Sequence, residues 1–358
     1  MRLFVAMNPA MNLRSHLLAG QAIPAHPLAL DALARFDERH QRALTRYYIA
    51  AGTGGIAVGV HSTQFEIRDA KHGLFKPVLE LAAATAASEL RTTPRDFALI
   101  AGVCGHSPQA VAEAELARSL GYHAGLVSMA AFKDDPESTI LEHVATVAKT
   151  IPVVGFYLQP AVGGRVFSYE FWRKFAEIPE VVAIKIAPFN RYQTIDVVRA
   201  VTASGREDIA LYTGNDDTIV ADLLTPFVFD IDGRTVTRRI VGGLLGHWGV
   251  WTHAAVELLH DVQRAVASGP LNPLWLTRAN AVTDMNAALF DAANRFHGCI
   301  PGILEVLRRQ RLVASVHCLN PEEKLSPGQS DELDRVCAAY PDLIDDDFVA
   351  ANLDRWLA

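Results

Sequence analysis

Lys185 is the residue of this chain best placed to do chemistry. It lies in the run Val181–Ile186, VVAIKI, whose alternation sets Ala183 and Lys185 on one face and Val182, Ile184 and Ile186 on the other. The aliphatic face suits packing against helices, which turns the lysine inward. An amine held there loses hydration, its pKa falls, and the neutral nucleophilic fraction that attacks a carbonyl to form an imine rises. Tyr157 ends the preceding apolar run, in VVGFYLQP, 28 residues earlier. Neighbouring strands would set the two side by side, with the phenol moving protons. Each residue also has an ordinary reading: a lysine that snorkels out or pairs with a carboxylate, and a tyrosine plugging a core with its hydroxyl on a backbone carbonyl.

Short acids and hydroxyls follow other apolar runs. His61, Ser62 and Thr63 come after Val60, Asp216 and Asp217 after Gly214, and Thr252 and His253 close a further run. Such groups hydrogen-bond a polyol or a polar acceptor, although helix capping would equally account for Asp216 and Asp217. Cys104 and His106 end another run and are given no role.

The elements that must position these residues follow a regular alternation. Strand-like runs at Gln21–His26, Gly55–Val60, Phe97–Gly102, His123–Ser128, Val153–Tyr157, Val181–Ile186, Ile209–Gly214 and His247–Thr252 are separated by amphipathic segments. From the third run on, starts are 26, 30, 28, 28 and 38 residues apart, the size of a βαβ unit. Eight parallel strands with intervening helices predict a (β/α)8 barrel, and no Gly-x-Gly-x-x-Gly follows the first strand to suggest a dinucleotide-binding sheet. The stretch 227–240, FVFDIDGRTVTRRI, reads as a β-hairpin inserted before the eighth strand, either a lid, a subunit contact or a surface ornament. Helices are expected at 272–296, 301–313, 329–340 and 345–357, giving a barrel over 1–270 and a C-terminal helical extension over 271–358. The acidic run Asp345-Asp346-Asp347 reads as a solvated helix start.

Half of the 358 residues are hydrophobic and a fifth are charged, with a formal net charge of -7, which fits a globular protein with a large core. Basic residues are scattered, so a nucleic-acid partner is not expected. Cys104, Cys299, Cys318 and Cys337 form no Cys-x-x-Cys pair, which favours a reducing compartment over a disulfide framework. Asn8 and Pro9 interrupt the apolar N-terminus below signal-peptide length, and no run reaches a membrane span. A cytoplasmic protein without a membrane partner is expected.

The segments IPVVGFYLQP and PEVVAIKIA, with GTGGIAVGVHSTQFE at 52–66, LYTGNDD at 211–217 and the stretch from Asn320-Pro321 to Leu325-Ser326, resemble the dihydrodipicolinate synthase and N-acetylneuraminate lyase family over roughly residues 21–331. The resemblance implies a class I, Schiff-base aldolase-type lyase, with Lys185 as the imine-forming amine and Tyr157 as the proton-transfer group. It also implies Ser62 with His61 or Thr63 at the 2-oxo acid carboxylate, no metal or organic cofactor, and a homotetramer or dimer. This chain departs from the family pattern in the substrate loop. Where the synthase branch has a carboxylate-binding arginine and a second tyrosine, it has Val162 and Ala131-Phe132. Dihydrodipicolinate synthesis is therefore not expected, and Gly214, Asp216, Asp217 and Thr252 suggest a hydroxylated or sugar-acid-like 2-oxo acid. Two alternatives stand beside this reading: a family member that binds a ligand or partner without turnover, and a metal-dependent barrel enzyme using some of the 13 histidines.

Overall fold

The structure is a computed structural model that describes residues 11–358, and the N-terminal stretch around Asn8 and Pro9 lies outside the described residues. The helix α1 (Leu13–Leu18) precedes the strand β1 (Ala22–Pro24). Strands and helices then alternate: α2 (Glu38–Ala50), β2 (Gly55–Val58), α3 (Phe75–Thr92), β3 (Ala98–Val103), α4 (Ser107–Ser119), β4 (Ala124–Val127) and α5 (Glu137–Ala148). The alternation continues through β5 (Val153–Leu158), α6 (Tyr169–Ala176), β6 (Val181–Ala187), α7 (Arg191–Ala203), β7 (Ala210–Thr213) and α8 (Ile219–Leu224). A hairpin, β8 (Phe227–Ile231) and β9 (Arg234–Arg238), leads to β10 (Gly242–Leu245) and α9 (Thr252–Ser268).

Eight parallel strands run in the order β1-β10-β7-β6-β5-β4-β3-β2, and a parallel bridge from Ala25 to Ala57 joins the two ends into a barrel. Its interior is filled by Ile23, Ala57, Ile100, Leu126, Val154, Tyr212 and Leu244 among others. A larger apolar layer lies between the strands and the helices. Both faces of the barrel strands are thus buried, as a parallel barrel requires.

The inserted hairpin is where the sequence puts it. Its two strands pair antiparallel from Phe227–Arg238 to Ile231–Arg234, and Asp232 and Gly233 both take left-handed backbone conformations (φ 51° and 74°), the turn that Asp-Gly favours.

The eighth barrel strand is not His247–Thr252 but Gly242–Leu245. Residues 247–249 form a 3-10 turn and Thr252 opens α9. Glycine is a poor strand former, but this strand needs it, because a Cβ on Gly243 would sit 2.3 Å from the Trp248 indole nitrogen and one on Gly242 2.6 Å from the Gln21 carbonyl.

Four helices follow the barrel: α10 (Leu274–Leu289), α11 (Cys299–Arg309), α12 (Gln329–Ala339) and α13 (Asp346–Leu357). The segment expected to be one helix over 272–296 breaks after Leu289, because Asp291, Arg295 and Phe296 take left-handed conformations (φ 57°, 56° and 65°). Asp345 is buried rather than solvated. It accepts hydrogen bonds from the Tyr47 hydroxyl (2.7 Å), the His253 N–H (2.9 Å) and the Gln310 amide (2.9 Å), tying α13 to the barrel.

Candidate active site

A cavity of about 80 Å³, room for roughly six waters, opens at the C-terminal ends of the barrel strands. Its walls come from residues in or just after the C-terminal ends of β5 and β6, from residues following β1, β2, β7 and β10, and from the C-terminal segment that carries Phe290, Phe296, Cys299 and Ile303. This is the end at which barrel loops assemble active sites.

Lys185 stands in this cavity. A register shift between β5 and β6 places Phe156, Lys185 and Tyr212 opposite one another across three strands. The lysine is 9% exposed, and its Nζ lies 4.6 Å from the centre of the Phe156 ring, close enough for cation–π attraction. Gly214 makes room for it, since a Cβ there would come within 2.8 Å of the lysine Cε. Burial lowers the Lys185 pKa, and the nearby Asp216 carboxylate partly restores it. Burial in turn raises the pKa of Asp216, and the lysine charge opposes that rise. The two groups form one coupled pair at the floor of the cavity, an amine pushed toward neutrality from above and a carboxyl pushed toward it from below. Asp216 is oriented by the His247 N–H, 3.2 Å from its Oδ1, and its carbonyl accepts the Asn286 amide at 2.7 Å. The Cys299 thiol lies beside the pair, and burial pushes it up, so it stays protonated.

The other residues singled out by the sequence divide between the cavity and its surroundings. His61, Ser62, Gly214 and Asp216 line it. Burial and the Lys185 charge push His61 down to about 4, so its imidazole is neutral at pH 7. Ser62 donates to the Ala25 carbonyl at 2.8 Å. Among the described residues no acceptor meets the His61 and Ser62 N–H groups. Thr63, Asp217 and Thr252 are not in the cavity wall. The Thr63 hydroxyl binds backbone on both sides, donating to the His26 carbonyl (2.6 Å) and accepting from the Gly59 N–H (3.0 Å). The Asp217 carbonyl accepts the Thr283 hydroxyl at 2.7 Å. Thr252, as the first residue of α9, donates its hydroxyl to the Trp248 carbonyl and its N–H to Tyr47.

Tyr157 is not beside Lys185. It faces the helices, 5.1 Å ring to ring from Trp172 and 5.7 Å from Phe167, and its hydroxyl accepts the Phe167 N–H at 3.3 Å. The alternation that groups Val153, Gly155 and Tyr157 holds, but that face is the outer one: a Cβ on Gly155 would strike Phe175 of α6. Both faces of this strand are apolar, so its pattern carries no sign of which faces inward. Phe156, without a hydroxyl, holds the place next to the lysine. Tyr157→Phe is accordingly expected to cost about 1 kcal/mol of stability, one ordinary hydrogen bond, and to leave turnover unchanged. Urea melts and steady-state rates on the same preparation check both halves.

The aromatic wall of the cavity was invisible in the sequence. Phe189 and Phe296 meet edge to face at 5.8 Å, and both are held in left-handed backbone conformations (φ 52° and 65°) that cost about 1–3 kcal/mol each in a non-glycine residue. The surroundings enforce them. The Phe189 N–H donates to Asn215 Oδ1 (2.9 Å), and the Asn215 amide is fixed by Thr194 (3.1 Å) and the buried Asp222 (2.9 Å). The Phe296 N–H donates to the Asp291 carbonyl (3.0 Å), and the Asp291 carboxylate accepts the Gly298 N–H (2.9 Å) and the Ser326 hydroxyl.

The profile of the Dihydrodipicolinate synthetase family matches residues 20–336. The chain is 27% identical over 176 residues to the 4-hydroxy-tetrahydrodipicolinate synthase of Dechloromonas aromatica (strain RCB), a match taking in 48% of this chain and 53% of that one. It therefore spans about half the length of that curated relative. Among solved structures it is similar to YagE, an E. coli K12 prophage protein of the dihydrodipicolinic acid synthase family in complex with pyruvate, with a TM-score of 0.71 and 16% identity over 90% of this chain and 98% of that one. It is also similar to the dihydrodipicolinate synthase of Agrobacterium tumefaciens str. C58 (TM-score 0.70, 18% identity, 90% and 99% covered). The N-acetylneuraminate lyase of Fusobacterium nucleatum complexed with pyruvate gives 0.68 and 16% over 91% and 98%. At these identities the structural likeness is one of fold.

Proposed function

The chain belongs to the dihydrodipicolinate synthetase family, and on that premise we propose that it is a lyase that forms an imine between Lys185 and a 2-oxo acid. The observation that carries this reading is a buried lysine at the C-terminal end of β6, its pKa lowered by burial, that shares the cavity at the strand ends with a single carboxyl group. The neutral amine attacks the C2 carbonyl, water leaves, and the imine draws electrons from C3 so that a bond there breaks or forms. The substrate carboxylate lies against the turn at His61 and Ser62, whose N–H groups meet no acceptor among the described residues. The family's implied phenol is missing beside the lysine. Asp216, with its raised pKa, is the group in position to give a proton to the departing carbinolamine hydroxyl and take one from the substrate.

No metal or organic cofactor enters this chemistry, the substrate is a small molecule, and homo-oligomeric assembly follows the family pattern. The chain carries no membrane partner in this reading, and among the described residues no helix is long and apolar enough to cross a membrane. A reducing, cytoplasmic setting suits the four free thiols.

The phenylalanine beside Lys185 also favours a second reading, in which the 2-oxo acid is held as an imine without turnover. Exchange of the pyruvate methyl protons separates the two, because only an enamine that forms and is reprotonated releases them. In D2O the wild-type protein is expected to erase the methyl NMR signal of pyruvate well above the buffer rate. A borohydride-trappable adduct without exchange would mean binding alone.

A further inference from the structure

The geometry points to an apolar substrate tail: resting on the imine reading above, the lyase cleaves or forms 2-oxo acids whose C4 carries an aryl or alkyl group, not a polyol or a second carboxylate. The polar part of the cavity lining is made by Lys185, Asp216, His61 and Ser62. The rest of the lining is largely apolar, with Leu158, Val162, Phe189, Phe290, Phe296 and Ile303 beside Gln159 and the Cys299 thiol. Among the described residues Lys185 is the only lysine or arginine that lines the cavity, and it is taken by the imine, so no cation remains for a second carboxylate. Asp217 and Thr252, the groups from which a polyol site would be built, lie outside the wall.

The aromatic pair is the second observation. Phe189 and Phe296 are half-buried and keep part of their surface open at the cavity. Each is fixed from behind, Phe189 through Asn215 and Phe296 through Asp291, in a backbone conformation that phenylalanine rarely adopts. Backbone strain sustained by two buried polar networks behind one aromatic wall is the pattern of a binding wall, set to meet a ligand rather than to fill a core. A planar apolar group packed against the open surface of these two rings gains contact and loses water.

In the cleavage direction the balance is simple. The C4 hydroxyl proton passes to the Asp216 carboxylate, the C3–C4 bond breaks with its electrons entering the Lys185 imine to give an enamine, and an aryl or alkyl aldehyde departs. Protonation of the enamine at C3 and hydrolysis then release pyruvate.

The test compares cleavage of 4-hydroxy-2-oxo-4-phenylbutanoate with that of a six-carbon 3-deoxy-2-oxo sugar acid on the full-length protein, reading pyruvate release. Borohydride trapping with pyruvate is run alongside. Preference for the phenyl substrate by about 100-fold in kcat/KM is expected, the scale on which apolar pockets discriminate. In Phe296→Ala the ratio of the two kcat/KM values should fall about tenfold or more, and a ratio taken within one variant cancels any loss of folded protein. A pyruvate adduct accompanied by preference for the sugar acid, by cleavage of neither substrate, or by an unchanged ratio in Phe296→Ala would overturn the apolar-tail assignment alone. Absence of the adduct would overturn the imine reading and this one with it.

Discussion

Lys185→Met loses lyase turnover by about 10⁴ to 10⁶, the scale on which removing a covalent nucleophile is felt, while the protein stays folded. The expectation of a stable variant follows from the site. Methionine nearly matches the lysine in length and keeps an apolar stem against Phe156, whose ring already lies 4.6 Å from the ammonium. Without the lysine charge, Asp216 loses the one influence that holds its pKa down from across the cavity, so it becomes neutral instead of remaining as an unpaired buried anion. Circular dichroism melts establish the fold, and pyruvate release from the 4-hydroxy-2-oxo acid measures the loss. Turnover retained within tenfold would place the chemistry elsewhere.

Asp216→Asn slows turnover by about 10² to 10⁴, the worth of a positioned proton carrier, yet continues to form the imine. The amide keeps the shape and the hydrogen bond from the His247 N–H, which lies 3.2 Å from the carboxylate oxygen, but carries no proton to give. The pH profile distinguishes this from a merely structural effect. In the wild-type protein the working state holds one proton between Lys185 and Asp216. On the acid side the pair gains a second proton at the raised aspartate pKa, and on the alkaline side it loses the last at the lowered lysine pKa. The rate is therefore bell-shaped, and its two apparent pKa values belong to the pair. Asp216 raises the lysine pKa, so its removal lets that pKa fall further. Adduct formation in Asp216→Asn should accordingly reach half its maximum at lower pH than in the wild type. A midpoint that stays put, or moves to higher pH, would remove Asp216 from the pair.

The barrel was legible because its period is set by packing: each strand–helix unit needs close to the same length of chain to cross the sheet and return. The hairpin was legible from Asp232-Gly233, the pair of residues that tolerates two left-handed conformations in succession. The eighth strand was misplaced because propensity favoured the aromatic-rich 247–252 over Gly242-Gly243, whereas close approach of Gln21 and Trp248 demands the glycines. Lys185 stood out because an ammonium is costly to bury, and a lone lysine set in an aliphatic strand bears that cost without a neighbouring acid in its own run. Tyr157 could not be placed, since a strand buried on both faces shows the same pattern whichever side faces in. Asp216 was recognised as a candidate, but its burial, and with it the shift that suits it to move protons, depends on the turn after β10 and on α10 closing over it. Phe296 reaches the cavity from an irregular turn after the barrel, and no periodicity announces such a position. Thr63 and Thr252 have the right chemistry, but backbone groups claim their hydroxyls first.

Borohydride reduction in the presence of pyruvate, followed by peptide mass spectrometry, tests the central claim most directly. The added mass of one reduced pyruvyl group is expected on the peptide that contains Val181–Ala187, with fragment ions placing it on Lys185 and no such mass in Lys185→Met. An adduct on a different lysine, or none with pyruvate or any longer 2-oxo acid, would contradict it.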